Sequence, residues 1–263
     1  MSQARIVFGF HALTVLLRQR PQAIIELHAS TGRADGRMRG LLKLAAEKRV
    51  RVMAATSERL DGLTGHGRHQ GVVARVTEAP RSHSLDDTLD AVEGPPLVLV
   101  LDGIQDPHNL GACLRVSDAA GVNAVIAPKD RAVGLTSVVS KVASGAAETV
   151  PFFPVTNLAR TLRELKERNI WIVGTDADAK DDLYTADFPD AVAWVLGAEG
   201  EGMRRLTREH CDFLVRIPMR GMVESLNVSV AAGIVLFESV RRRQSEKRGS
   251  RPSSDLPVSK EKT

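Results

Sequence analysis

Cysteine is scarce in this chain. There are two, Cys113 and Cys211, in separate helical stretches. Neither sits in a CxxC pair or at a Cys/His ligand spacing, so the sequence excludes a disulfide framework and a structural zinc site and predicts buried thiols. Long apolar runs are missing as well. The longest, residues 95–101 and 228–237, fall short of the roughly 20 residues that a bilayer requires. The basic, apolar and small-residue pattern of a secretory signal is lacking at the N-terminus. A cytoplasmic protein with no membrane partner is expected. A dinucleotide fingerprint is also absent: the glycine-rich stretches 62-GLTGHG-67 and 197-GAEGEG-202 are spaced GxxGxG rather than GxGxxG, which leaves a nicotinamide site unsupported.

What is present is an ordinary globular balance, 43% hydrophobic and 26% charged over 263 residues, a length that favours two domains. The net charge of +4 conceals a division. Residues 1–80 carry 13 Lys and Arg against 6 Asp and Glu, residues 81–240 carry 15 against 23, and residues 241–263 carry 8 against 3. Local Lys and Arg density drives polyanion binding through counterion release, so the N-terminal region is the candidate surface for gripping a polyanion such as a nucleic acid. Simple solvation of a helix and its loops is the plainer account of the same cations.

Periodicity predicts a compact α/β unit over the first 80 residues, with helices near 11–20 and 38–49 and strands near 23–28, 50–55 and 72–76. Residues 77–95 turn polar, acidic and proline-bearing, the composition of a linker with room for one short helix. Beyond it, apolar runs at 97–101, 122–127, 170–174, 192–196 and 213–217 are separated mostly by helical patterns such as 158–168. That alternation argues a parallel sheet covered on both faces, so the expected fold class is α/β. Strand order is not readable, and general topology rules predict no knot. Residues 244–263, rich in Ser, Pro, Lys and Arg without periodicity, are expected to form a disordered basic tail.

Three segments are crowded with residues that packing does not need: 106-DPHNLGACLRVSDAAG-121, 196-LGAEGEGM-203 and 217-IPMRGMVESLNVSVAAGIVLFE-238. In the first, a loop at 106–109 is expected to lead into a helix. Asn109 can satisfy free amides there or hold a polar ligand, while Arg115 can offer a planar fork to a phosphate. Glu199 follows the apolar run 192–196, where parallel sheets place active-site residues. Ser225 and Asn227 supply a hydroxyl and an amide just before a helix expected at 228–240, where capping is the plainer role. Gly197 and Gly200 suit a backbone that must approach a ligand. For Ile217 and Leu226 the residues alone suggest core packing.

Together the three segments resemble the motifs of the SpoU, or TrmH-like, branch of the SPOUT superfamily of RNA 2'-O-methyltransferases, and the resemblance runs from about Ile6 to Arg243. It implies an N-terminal substrate-binding domain similar to ribosomal protein L30e over residues 1–78, with 65-GHGRHQG-71 near its end. A linker over 79–95, a SPOUT methyltransferase domain over 96–243 with a deep trefoil knot, and the tail at 244–263 follow. The resemblance further implies S-adenosyl-L-methionine as methyl donor, no metal, and a homodimer. The implied partner is 23S ribosomal RNA, with a guanosine of the P-site loop as target, and no DNA. Carried onto this chain, Gly197, Ile217 and Leu226 line the cofactor, with Gly174 and Thr175 close by. Asn109, Arg115, Glu199, Ser225 and Asn227 form the active-site polar set. An arginine stays protonated in nearly all protein settings, so a phosphate clamp that stabilises the developing alkoxide is a better expectation for Arg115 than a general base. Two other readings stay open: a tRNA ribose methyltransferase with the same motifs, and a noncatalytic RNA-binding ribosome-assembly factor on the same fold.

Overall fold

The computed structural model describes residues 4–77, 84–198, 200 and 202–249. Strands β1 (Ala4–Phe8), β2 (Ile24–Ser30), β3 (Val52–Ala55) and β4 (Val72–Thr77) form an N-terminal sheet in the order β1-β4-β2-β3, antiparallel except for the β2/β3 pair. Two helices, α1 (Phe10–Gln19) and α2 (Gly36–Glu47), bury Leu13, Leu16, Leu17, Met38 and Leu41 against one face. The shorter α3 (Ser57–Thr64) seats Leu60 on the other face beside Val73. Asp35 starts α2 by accepting a 2.9 Å hydrogen bond from the Met38 amide. Sequence periodicity misses β1 and α3, because each is short and only one residue of either is fully buried.

The linker region holds one short helix, α4 (Leu85–Asp90), begun by a reciprocal capping box between Ser84 and Asp87. After it the chain alternates β5 (Leu97–Asp102), α5 (Pro107–Ala120), β6 (Ala124–Pro128), α6 (Ser137–Val142), α7 (Ala146–Thr149), β7 (Phe152–Val155), α8 (Leu158–Glu167), β8 (Trp171–Thr175), β9 (Asp181–Asp182), β10 (Val192–Gly197), α9 (Arg205–Glu209), β11 (Phe213–Arg216) and α10 (Val228–Gly249). Every strand pair of this second sheet is parallel, and the order is β7-β6-β5-β10-β8-β11-β9.

Both faces are covered, as the apolar runs require. Leu97, Leu99 and Leu101 of β5 point into a core shared with α5 and α10, whereas Val98 and Val100 point into a second core with α8. Each such side chain contributes roughly 1.5–3 kcal/mol by leaving water. Trp194 of β10 is fully buried, stacks edge-on against Phe188 at 5.0 Å, and donates from its indole to Ser239 Oγ at 2.8 Å, which ties α10 to the sheet. Burial pushes the Cys113 thiol up to about 12, and burial likewise raises Cys211 to about 12, so both stay protonated at neutral pH.

Two expectations need correction. α10 runs on to Gly249, so residues 244–249 are helical and not part of a tail; the expected tail beyond them lies outside the described residues. The strands β7 and β9 were not anticipated, since β7 contains Pro154 at the sheet edge and β9 is a pair of aspartates. The two layers touch through Arg5 of β1, which forms an ion pair with the buried Glu148 of α7 and lies 3.4 Å from Ser140 Oγ of α6. Among the described residues no helix is long and apolar enough to cross a membrane.

Candidate active site

The carboxyl ends of neighbouring strands β5, β10, β8 and β11 line up. Asp102 stands opposite Gly197, Val195 opposite Gly174, and Val215 opposite Thr175. Four of the five residues expected to line the cofactor, Gly174, Thr175, Gly197 and Ile217, therefore gather where an open parallel sheet places its ligand crevice. Leu226 lies in the loop just before α10, and both it and Ile217 are half-buried.

After Gly197 the chain turns back on itself. Ala198 and Gly202 exchange two backbone hydrogen bonds of 2.9 and 3.0 Å, and Gly200 and Gly202 adopt left-handed φ of 82° and 67°. A Cβ on Gly197 would lie 2.0 Å from the Gly202 carbonyl carbon. The chain's own return therefore requires a glycine at this position. Gly174 is likewise packed shut, with Cys211 Sγ and Met203 Cε each 2.8 Å from where its Cβ would be. Glu199, expected in this loop, lies outside the described residues.

A residue overlooked by the sequence reading anchors the loop. Asp102 ends β5 with a fully buried carboxylate that accepts from the Arg204 backbone amide at 2.9 Å and lies 2.9 Å from Arg204 Nε. A charged residue closing an apolar strand was the available signal. Removing one member of a buried pair leaves the other uncompensated, and because Arg204 is half-exposed the expected cost of Asp102→Asn is about 1–3 kcal/mol. Chemical denaturation should show that loss together with weakened cofactor affinity; a stable variant with weakened affinity would place the aspartate in ligand contact instead.

The first and third segments meet between α5 and α10. Asn227 Nδ2 donates to Asn109 Oδ1 at 2.9 Å across 118 residues of sequence. The same side chain starts α10, its Oδ1 accepting from the Ser229 amide at 2.9 Å and from Ser229 Oγ at 2.6 Å. Capping and site assembly coincide in one residue, and the cap fixes which way the amide faces. Asn109 itself is not in a loop: α5 begins at Pro107, and the capping group is Asp106, which accepts from the His108 amide. Arg115 emerges from α5 exposed, and it makes no ion pair or hydrogen bond among the described residues. Ser225 is exposed and likewise unbonded there.

Residues 217–226 make no hydrogen bond to another described residue, so their backbone donors and acceptors stand free beside the strand ends. That suits a ligand recognised largely through main-chain groups, with Ile217 and Leu226 offering it apolar walls. Among the described residues no group of three or more His, Cys, Asp and Glu is placed to hold a metal ion.

Comparison with known proteins agrees with this geometry. The SpoU rRNA Methylase family matches residues 96–237, and the RNA 2'-O ribose methyltransferase substrate binding family matches residues 6–82. A protein of Ralstonia nicotianae named 23S rRNA (guanosine-2'-O-)-methyltransferase RlmB is 60% identical over 243 residues, 92% of this chain and 98% of its own. The crystal structure of the SpoU methyltransferase AviRb from Streptomyces viridochromogenes in complex with the cofactor AdoMet superposes with a TM-score of 0.76 at 25% identity, covering 91% of this chain and 90% of that one. The A. aeolicus TrmH/SpoU tRNA modifying enzyme has a TM-score of 0.54 at 30% identity over 62% of this chain and 83% of its own. With polar segments that converge at the strand ends and matches spanning both sheets, the chain belongs to the SpoU rRNA methylase family.

Proposed function

We propose that this protein transfers the methyl group of S-adenosyl-L-methionine to the ribose 2'-oxygen of a guanosine in 23S ribosomal RNA, within the P-site loop. The carrying observation is the Asn227–Asn109 hydrogen bond, which joins two polar segments distant in sequence on the helix that also carries the exposed Arg115. The relative named for 23S guanosine methylation supports this substrate, since it matches nearly the whole chain, whereas the tRNA-modifying neighbour matches a smaller share. In this reading residues 1–78 hold RNA, 79–95 link, and 96–243 carry the reaction.

The donor, when bound, supplies a methyl group already activated on a sulfonium, so the protein's work is to align the 2'-oxygen and ease removal of its proton. Gly174, Thr175, Gly197, Ile217 and Leu226 hold the donor at the strand ends. Arg115 clamps a phosphate and stabilises the developing alkoxide; Asn109 and Asn227 keep the floor of the site rigid, and Ser225 adds a hydroxyl. The proton leaves to water or to Glu199. A homodimer completes the proposal: Met222 and Val223 before α10, and Val230 and Phe237 two turns apart on one face of α10, are exposed apolar residues that a second copy covers.

The test incubates the protein and S-adenosyl-L-methionine with unmethylated 23S RNA, with ribosomal precursor particles and with bulk tRNA, and maps new 2'-O-methyl groups. One methylated guanosine in the P-site loop is expected. Methylation of tRNA alone overturns the substrate, and silence on every RNA favours a noncatalytic assembly factor.

A further inference from the structure

We propose that the groove between α1 and α2 is a pocket for an unstacked nucleotide of the RNA substrate. The idea deepens the function proposed above and rests on it. The groove has a volume of about 700 Å³, inside the range of roughly 300–1,000 Å³ typical of small-ligand sites. Phe10, Leu41 and Leu44 give it an apolar floor, and Arg18, Arg37 and Lys43 stand around it and outnumber the one carboxylate, Glu47. All three cations are exposed, and none makes an ion pair among the described residues. An apolar floor for a base within a cationic rim for phosphate is the chemistry by which single-stranded RNA is held.

A second observation concerns glycine. Gly36 and Gly40 line the groove on α2, and a Cβ at either would meet nothing within 4 Å. Packing does not demand them, and Gly40 sits inside a helix, where alanine is preferred. Their effect is to leave a bare strip of helix along the groove, open to close approach by a planar group.

The segment 65-GHGRHQG-71 also finds a place here. Gln70 holds a left-handed φ of 55°, lines the groove, and accepts from the Phe10 amide at the start of α1 at 3.3 Å. Its carbonyl accepts from Arg33 Nη1 at 2.7 Å, and that guanidinium lies 4.6 Å from the Phe10 ring centroid. The turn therefore ties one end of the groove to β4 and fixes the first turn of α1.

Gly40→Met fills the groove without altering charge. It is expected to raise KM for unmethylated 23S RNA about tenfold, the loss of roughly one stacked base, while kcat and S-adenosyl-L-methionine affinity stay within about twofold. Lys43→Gln should weaken RNA binding comparably. Arg59→Gln, the same charge change on α3 outside the groove, should shift it by less than about twofold. Gly40→Gln is the second filling variant should Met lower the thermal midpoint. Parent-like RNA binding by a folded filling variant overturns the groove, as does an Arg59→Gln loss equal to that of Lys43→Gln, which means a diffuse cationic surface. Either result with methylation intact leaves the proposed function standing, whereas a parent chain that methylates no RNA removes that function first.

Discussion

Arg115→Lys is expected to lower kcat about 100-fold or more at saturating RNA, within the 10²–10³ loss seen when a preorganised oxyanion donor is removed, with cofactor affinity unchanged. Arg115 is exposed and makes no ion pair or hydrogen bond among the described residues, so its charge is not consumed in holding the fold they form. Lysine retains that charge. It lacks the planar fork that grips a phosphate through two parallel hydrogen bonds, and its flexible stem does not preorganise the remaining donors. An effect confined to k for the methyl-transfer step in single-turnover experiments would identify the clamp. Near-normal turnover by the lysine variant would eliminate it, leaving charge alone as the requirement. Thermal stability should barely move, because the side chain is exposed and bonds to no described residue.

Gly197→Ala is expected to act on the fold and the site together. The added methyl would sit 2.0 Å from Gly202 carbon and 2.2 Å from the Met203 nitrogen, both backbone atoms that cannot rotate aside. The Ala198–Gly202 bridge must open, and the loop pinned by Asp102 and Arg204 must shift with it. Overpacking of this kind costs about 1–3 kcal/mol, occasionally more, and a backbone clash belongs at the upper end. Gly200→Ala meets no neighbour within 4 Å and is strained only by its φ of 82°, so about 1–2 kcal/mol is expected there. Denaturation midpoints and calorimetric titration with S-adenosyl-L-methionine separate the two variants. Equal midpoints for both would mean that the loop yields easily and that the close return of the chain is unimportant.

The central strands were legible because burial on both faces writes itself into the sequence as uninterrupted apolar residues, as in β5 and β10. The edge strand β7, the two-residue β9 and the brief β1 carry no such signature. Motif residues were also visible, yet their local reasons were not. Gly197 suits the approach of a ligand, and its own loop supplies a second reason for it that the sequence does not display; Gly111 in the first motif has Val142 of α6 2.6 Å from where its Cβ would be. Asp102 escaped notice because its partner lies 102 residues away, and pairing across such a separation leaves no local pattern. The α10 boundary was misplaced for a related reason. Apolar periodicity fades after residue 240, whereas the helix is held further on by Arg242, which donates to the Leu183 and Ala186 carbonyls, and by Arg243, which donates to those of Pro96 and Asp190.

The bond between Asn109 and Asn227 has a consequence for the order of biosynthesis. A ribosome releases the chain from its N-terminus, and domains fold as units while they emerge. The first sheet is whole once β4 has appeared, since among the described residues no later strand joins it. The polar site, by contrast, stays open until a residue 118 positions beyond Asn109 arrives and α10 docks on α5. A nascent chain therefore acquires its cationic N-terminal surface first and its chemistry last.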